Sequence, residues 1–120
     1  PETIAVREEL LPESGTITQI AMSAMDDWGG RVVESDTPVL VIIEGLTMYL
    51  SETDVKRIFA VIAGRFPQAT VLVETMNPMV VKRFKERSIE GSNAKFTWGV
   101  KDGAHWRRCC RTSALWRSIA

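Results

Sequence analysis

The chain has 120 residues, the size of one domain or of part of a larger one. Hydrophobic residues make up 45% and charged residues 25%, which excludes disordered and collagen-like chains. Fifteen Lys plus Arg balance fifteen Asp plus Glu, so no net field gathers nucleic acid or anionic lipid, and neither is expected as a partner.

Residues 1–11 (P-E-T-I-A-V-R-E-E-L-L) place Pro in the first turn and acids early, which suits a short helix stopped by Pro12. After a turn at Gly15, residues 16–22 (T-I-T-Q-I-A-M) are β-prone and predict a short strand ending at Ser23. Residues 24–34, with Asp26, Asp27, Trp28 and the pair Gly29-Gly30, predict a loop and a weak helix. Asp36-Thr37-Pro38 signals a turn. Residues 39–43 (V-L-V-I-I) lack polar alternation, as in a central strand of a parallel sheet buried on both faces.

Ser51 with Asp54 three residues on forms a capping-box pattern, and Val55, Ile58, Phe59 and Ile62 share one helical face. Pro67 ends that helix, and residues 69–75 (A-T-V-L-V-E-T) predict a second buried strand. Asn77 as N-cap and Pro78 at the first helical position open a helix to about Ile89, with Lys82, Arg83, Lys85 and Arg87 outward and Gly91 closing it. Residues 95–100 (K-F-T-W-G-V) predict a further strand, and His105 onward a helix with Trp106, Cys110 and Ala114 on one face. Strands alternating with helices predict a doubly wound α/β fold with a largely parallel sheet.

Net charge is −7 over residues 1–50, +3 over 51–100 and +4 over 101–120, which fits either opposed acidic and basic faces or ordinary solvated helices. Arg107, Arg108, Arg111 and Arg117 read the same two ways, as a patch for an acidic partner or a solvated basic helix. Cys109 and Cys110 are adjacent, and such a pair rarely closes a disulfide, so a reducing cytoplasm is the expected compartment. They also lack C-x-x-C spacing and are expected to be inert or merely oxidation-prone. No apolar run reaches the roughly 18 residues that span a bilayer. Without an initiator Met, Pro1 reads as an internal start, and the expectation is a piece of a longer polypeptide.

In parallel sheets, ligands bind beyond the carboxyl ends of the strands. The candidate segments are therefore residues 23–27, 44–49 and 75–78. Glu44-Gly45 directly follows a buried run; a carboxylate there suits an amino or hydroxyl group of a ligand, with the bland alternative that Glu44 caps the next turn. Met48 and Tyr49 are either pocket wall or core. Asp26 and Asp27 read as adenine contacts or as solvated loop acids, and without nearby His or Cys they make a poor metal site. His105 has no nucleophile placed beside it by motif. The glycines never form G-x-G, so a nucleoside loop has to come from elsewhere.

Residues 44–50 (E-G-L-T-M-Y-L), followed by S-E-T-D-V, by R-F-P-Q-A and by F-T-W-G-V-K-D-G at 96–103, resemble the leucine carboxyl methyltransferase superfamily. The closer likeness is to its bacterial branch, the tetracenomycin-type polyketide O-methyltransferases. The opening P-E-T-I-A-V-R-E-E-L-L-P is similar to the segment after the family's second strand, and M-S-A-M-D-D-W to its S-x-x-D-x-W segment. The resemblance implies a Rossmann-like, S-adenosylmethionine-dependent O-methyltransferase acting on a carboxylate or hydroxyl oxygen of a small-molecule methyl acceptor, without metal. It implies that Ser23, Ala24 and Met25 lie near adenine with Asp26 bonding it. Glu44 and Gly45 would then lie beside the methionine part, and Tyr49 would face the acceptor. The family's first strand, glycine-rich loop and ribose-binding acid belong before Pro1, and residues after 106 match its last hairpin poorly. This would make residues 1–120 one partial domain. A non-catalytic α/β association module, including a homodimer formed through an unpaired sheet edge, is the alternative.

Overall fold

The computed structural model describes residues 2–11, 15–32, 38–84 and 94–110. In chain order these form helix α1 (Glu2–Leu10), a 3-10 turn (Trp28–Arg31), strand β1 (Leu40–Ile43) and a second 3-10 turn (Thr47–Tyr49). Helix α2 (Glu52–Arg65), strand β2 (Thr70–Val73), helix α3 (Pro78–Phe84) and helix α4 (Gly103–Cys109) complete the order. The architecture is α/β. Strands β1 and β2 pair in parallel from Leu40 opposite Thr70 to Ile43 opposite Val73, with α2 connecting them.

Helix α2 begins where its sequence dictates. The Ser51 hydroxyl accepts the Asp54 N–H at 3.2 Å, and the Asp54 carboxylate accepts the Ser51 N–H at 3.4 Å, so two otherwise unsatisfied donors are met. Its apolar stripe, Val55, Ile58, Phe59 and Ile62, is buried against Ile43, Trp98, Val100 and Trp106. Phe59 meets Trp106 edge-on at 4.9 Å, and Trp98 lies 5.8 Å from Trp106, so one aromatic cluster joins α2, α4 and the segment between α3 and α4. Helix α4 is short, but Asp102 caps it by accepting the His105 N–H at 2.7 Å, and Trp106 and Cys110 face inward as the spacing predicts. At α3, the Asn77 side chain accepts the Met79 N–H at 2.9 Å, the expected cap before Pro78. Its continuation to Ile89, with Lys85, Arg87 and Gly91, lies outside the described residues, as do Asp36-Thr37 and Ala114.

Three sequence expectations are corrected. Residues 16–22 do not form a strand: the Met22 N–H turns back to the Ile20 carbonyl at 2.9 Å, and this local kink replaces a ladder bond. Residues 95–100 also form no strand, because their amides bridge two loops. Thr97 and Trp98 donate to the Met48 carbonyl, and Val100 donates to the Met76 carbonyl. Gly99 lies so close to the Met76 carbonyl that a Cβ there would stand 2.5 Å from its oxygen. Finally, β1 and β2 are buried on one face only. Val41, Val71 and Val73 pack on the core, while Leu40, Ile42 and Leu72 are 62%, 60% and 52% exposed. A doubly wound arrangement needs a second layer over that strip, and none covers it among the described residues. No helix among them is long and apolar enough to cross a membrane.

Candidate functional site

The carboxyl end of β1 opens beside a cavity of about 370 Å3, within the range of roughly 300–1,000 Å3 usual for small-molecule sites. Its walls are mostly apolar: Ile20, Met22, Ala24 and Trp28 on one side, Val41, Ile42, Ile43 and Leu46 along the strand and its exit, and Ile58 and Ile62 from α2. Ser23 and Glu44 contribute the polar rim. An apolar hollow with a few polar groups at a strand end can hold a flat, partly apolar ligand and orient it by its polar edge.

The side of the cavity formed by residues 23–31 is tied to α2. The Asp27 carboxylate takes a forked pair from Arg65, with Nη2 at 2.6 Å and Nε at 3.3 Å. The Arg65 guanidinium thereby holds the Asp27 carboxyl below its ordinary value. Gly29 sits directly on the same side chain, where a Cβ would come 2.5 Å from the Arg65 Cγ. Trp28 stacks on Phe66 at 5.9 Å and 22°, and its indole N–H donates to the Ala24 carbonyl at 3.1 Å. These contacts fix Ala24 and Trp28 as wall.

The opposite side is the exit from β1. Gly45 has φ of +62°, the left-handed region that favours glycine, and it turns the chain out of the sheet. Its N–H donates to the Glu74 carboxylate at 2.9 Å. Thr47, only 2% exposed, donates its hydroxyl hydrogen to the Glu74 carbonyl at 2.7 Å, and the Glu74 N–H reaches the Ile43 carbonyl at 2.8 Å.

Of the residues singled out from sequence, Ser23, Ala24 and Glu44 come together on the cavity. Met25 and Asp26 lie in the adjoining turn: the Ser23 hydroxyl accepts the Met25 N–H at 3.3 Å, and the Asp26 carboxylate accepts the Ser23 N–H at 3.2 Å. Tyr49 is outside the lining and packs on Phe96 at 5.2 Å. His105 is not part of the cavity lining, and its Nδ1 accepts the Lys101 N–H at 3.2 Å. Among the described residues no group of three His, Cys, Asp or Glu is placed to hold a metal. Sequence reasoning missed Ile20, Met22 and Glu74. The signal for Glu74 was present, since both apolar runs, V-L-V-I-I and V-L-V, end directly in Glu.

In comparisons with known proteins, the chain is 29% identical over 102 residues to the tetracenomycin polyketide synthesis O-methyltransferase TcmP of Streptomyces glaucescens. The matched region is 83% of this chain and 37% of that protein. No protein-family profile matches the chain, and no solved structure does. The chain is therefore a distant relative of an O-methyltransferase, of which it spans little more than a third.

Proposed function

We propose that this chain contributes part of the cofactor site of an S-adenosylmethionine-dependent O-methyltransferase whose acceptor is a small, polyketide-like molecule. The observation that carries the reading is the convergence of Ser23, Ala24 and Glu44 on one apolar cavity at the carboxyl end of a parallel strand. The similarity to TcmP supports the class of reaction. The residues fit such a cofactor: Trp28, Ile20 and Met22 offer apolar surface to a purine, and Glu44 offers a carboxylate to an amino or hydroxyl group. S-adenosylmethionine, when bound, supplies an activated methyl group on its sulfonium. The chain's own residues then have to orient the ligand and exclude water, since displacement at a methyl carbon depends on alignment more than on acid or base groups.

The test is equilibrium titration of this chain with S-adenosylhomocysteine. Binding that weakens at least about tenfold in Glu44→Ala, which is about 1.4 kcal/mol, supports the reading. No binding by this chain, or equal binding by Glu44→Ala, overturns it. The second reading, an association module, draws on the exposed strip of Leu40, Ile42 and Leu72. It predicts stable self-association without any ligand affinity.

A further inference from the structure

We infer that Glu74 is a positioning residue for Glu44, an inference that rests on the cofactor reading above. The β1–β2 ladder ends at Ile43 opposite Val73, and the last backbone bond runs from the Glu74 N–H to the Ile43 carbonyl at 2.8 Å. Past that point β1 leaves the sheet, and Glu74 follows it with its own groups. Its carboxylate accepts the Gly45 N–H at 2.9 Å, and its carbonyl accepts the Thr47 hydroxyl at 2.7 Å. One residue thus fastens positions 43, 45 and 47, every second residue through the turn.

Glu44 stands between two of these anchors and lines the cavity, while Glu74 does not. With Ile43 and Gly45 both held, the backbone dihedrals that aim the Glu44 side chain are set before a ligand arrives. Gly45 makes the anchor necessary. Its φ of +62° is one of several conformations open to glycine, and a charged acceptor on its N–H selects that one. Without the carboxylate of Glu74, the turn would sample other conformations, and ligand binding would bear the cost of ordering it.

The test compares Glu74→Ala, Glu74→Gln, Glu44→Ala and the double variant Glu44→Ala with Glu74→Ala by titration with S-adenosylhomocysteine, and reads amide hydrogen exchange at Gly45 without ligand. Glu74→Ala is expected to bind about tenfold more weakly and to speed Gly45 exchange by a similar factor. Glu74→Gln keeps an acceptor and is expected to stay within about threefold of the parent chain. In the double variant, Glu74→Ala is expected to add almost nothing to the loss from Glu44→Ala, because it acts through that residue. A general loss of structure would instead give additive losses and no rescue by Gln. Full additivity, or unchanged affinity in Glu74→Ala, overturns the positioning role. Unchanged Gly45 exchange in Glu74→Ala overturns the anchor itself. Absence of any affinity in the parent chain removes the cofactor reading and the ligand role of Glu74 with it, and that result is separate from the exchange measurement.

Discussion

Cys110 is buried beneath α2, and its thiol is pushed up to about 11, first by burial and then by the neighbouring Cys109. Burial likewise raises the Cys109 thiol. An acid whose folded pKa exceeds its unfolded value holds its proton more tightly in the folded chain. Its stabilisation is therefore full below the ordinary value of 9.0 and is lost as pH rises towards 11. Thermal unfolding from pH 8 to 11 should show Tm falling across that window, with a shallower fall in Cys110→Ala; parallel profiles would refute the assignment. Which of the two thiols is buried was legible in the spacing, since Cys110 falls four residues after Trp106 on the same helical face, and the structure buries both Trp106 and Cys110. At Glu44 the sequence supplied the candidate, a carboxylate after an apolar run. The partner that fixes its turn, Glu74, lies 30 residues away and could be found only by the pairing of β1 with β2.

Helix α2 shows how much of an element is local. Its N-cap, its apolar stripe and its stop at Phe66-Pro67 are all in the sequence, and the structure realises each of them. Ser51→Ala removes the hydroxyl that meets the Asp54 N–H and is expected to cost about 1 kcal/mol. The measurement is a urea midpoint at unchanged slope; an unchanged midpoint would mean the capping box contributes nothing. The Glu52–Lys56 pair on the same helix is exposed, and little is expected from it. Helix α1 is the contrary case. Its start and stop were legible, yet no residue in it is buried, and Leu10 is 70% exposed. End signals determine that a helix forms, but a face to pack on is a property of its neighbours. Residues 16–22 and 95–100 failed as strands for a related reason. β propensity describes a residue suited to a pleated surface, and a strand exists only when another supplies the ladder.

At the scale of the molecule, one face of the sheet lies against α2 and the aromatic cluster, and the other carries Leu40, Ile42 and Leu72 in the open. Such a strip favours contact with further apolar surface. Leu72→Lys is expected to leave the unfolding free energy within about 0.5 kcal/mol, because the side chain is half exposed already. The same substitution should reduce concentration-dependent association in light scattering; association that persists unchanged would show that the strip is not the contact. Leu72 does not line the cavity, so ligand affinity provides an internal control.

By itself the sequence determined the elements whose signals are local: α2 with its capping box, the Asn77-Pro78 start of α3, the inward face of α4 and two apolar strands separated by a helix. It also determined the resemblance through E-G-L-T-M-Y-L and the placing of Glu44 at a strand end. Tertiary structure alone decided that Val41 faces the core while Ile42 does not, that Asp27 pairs with Arg65, and that Tyr49 turns to Phe96 and away from the cavity. The division has one physical cause. Caps, turns and periodicity act within a few residues of chain, whereas burial, ion pairing and sheet partnership depend on groups that only folding brings within reach.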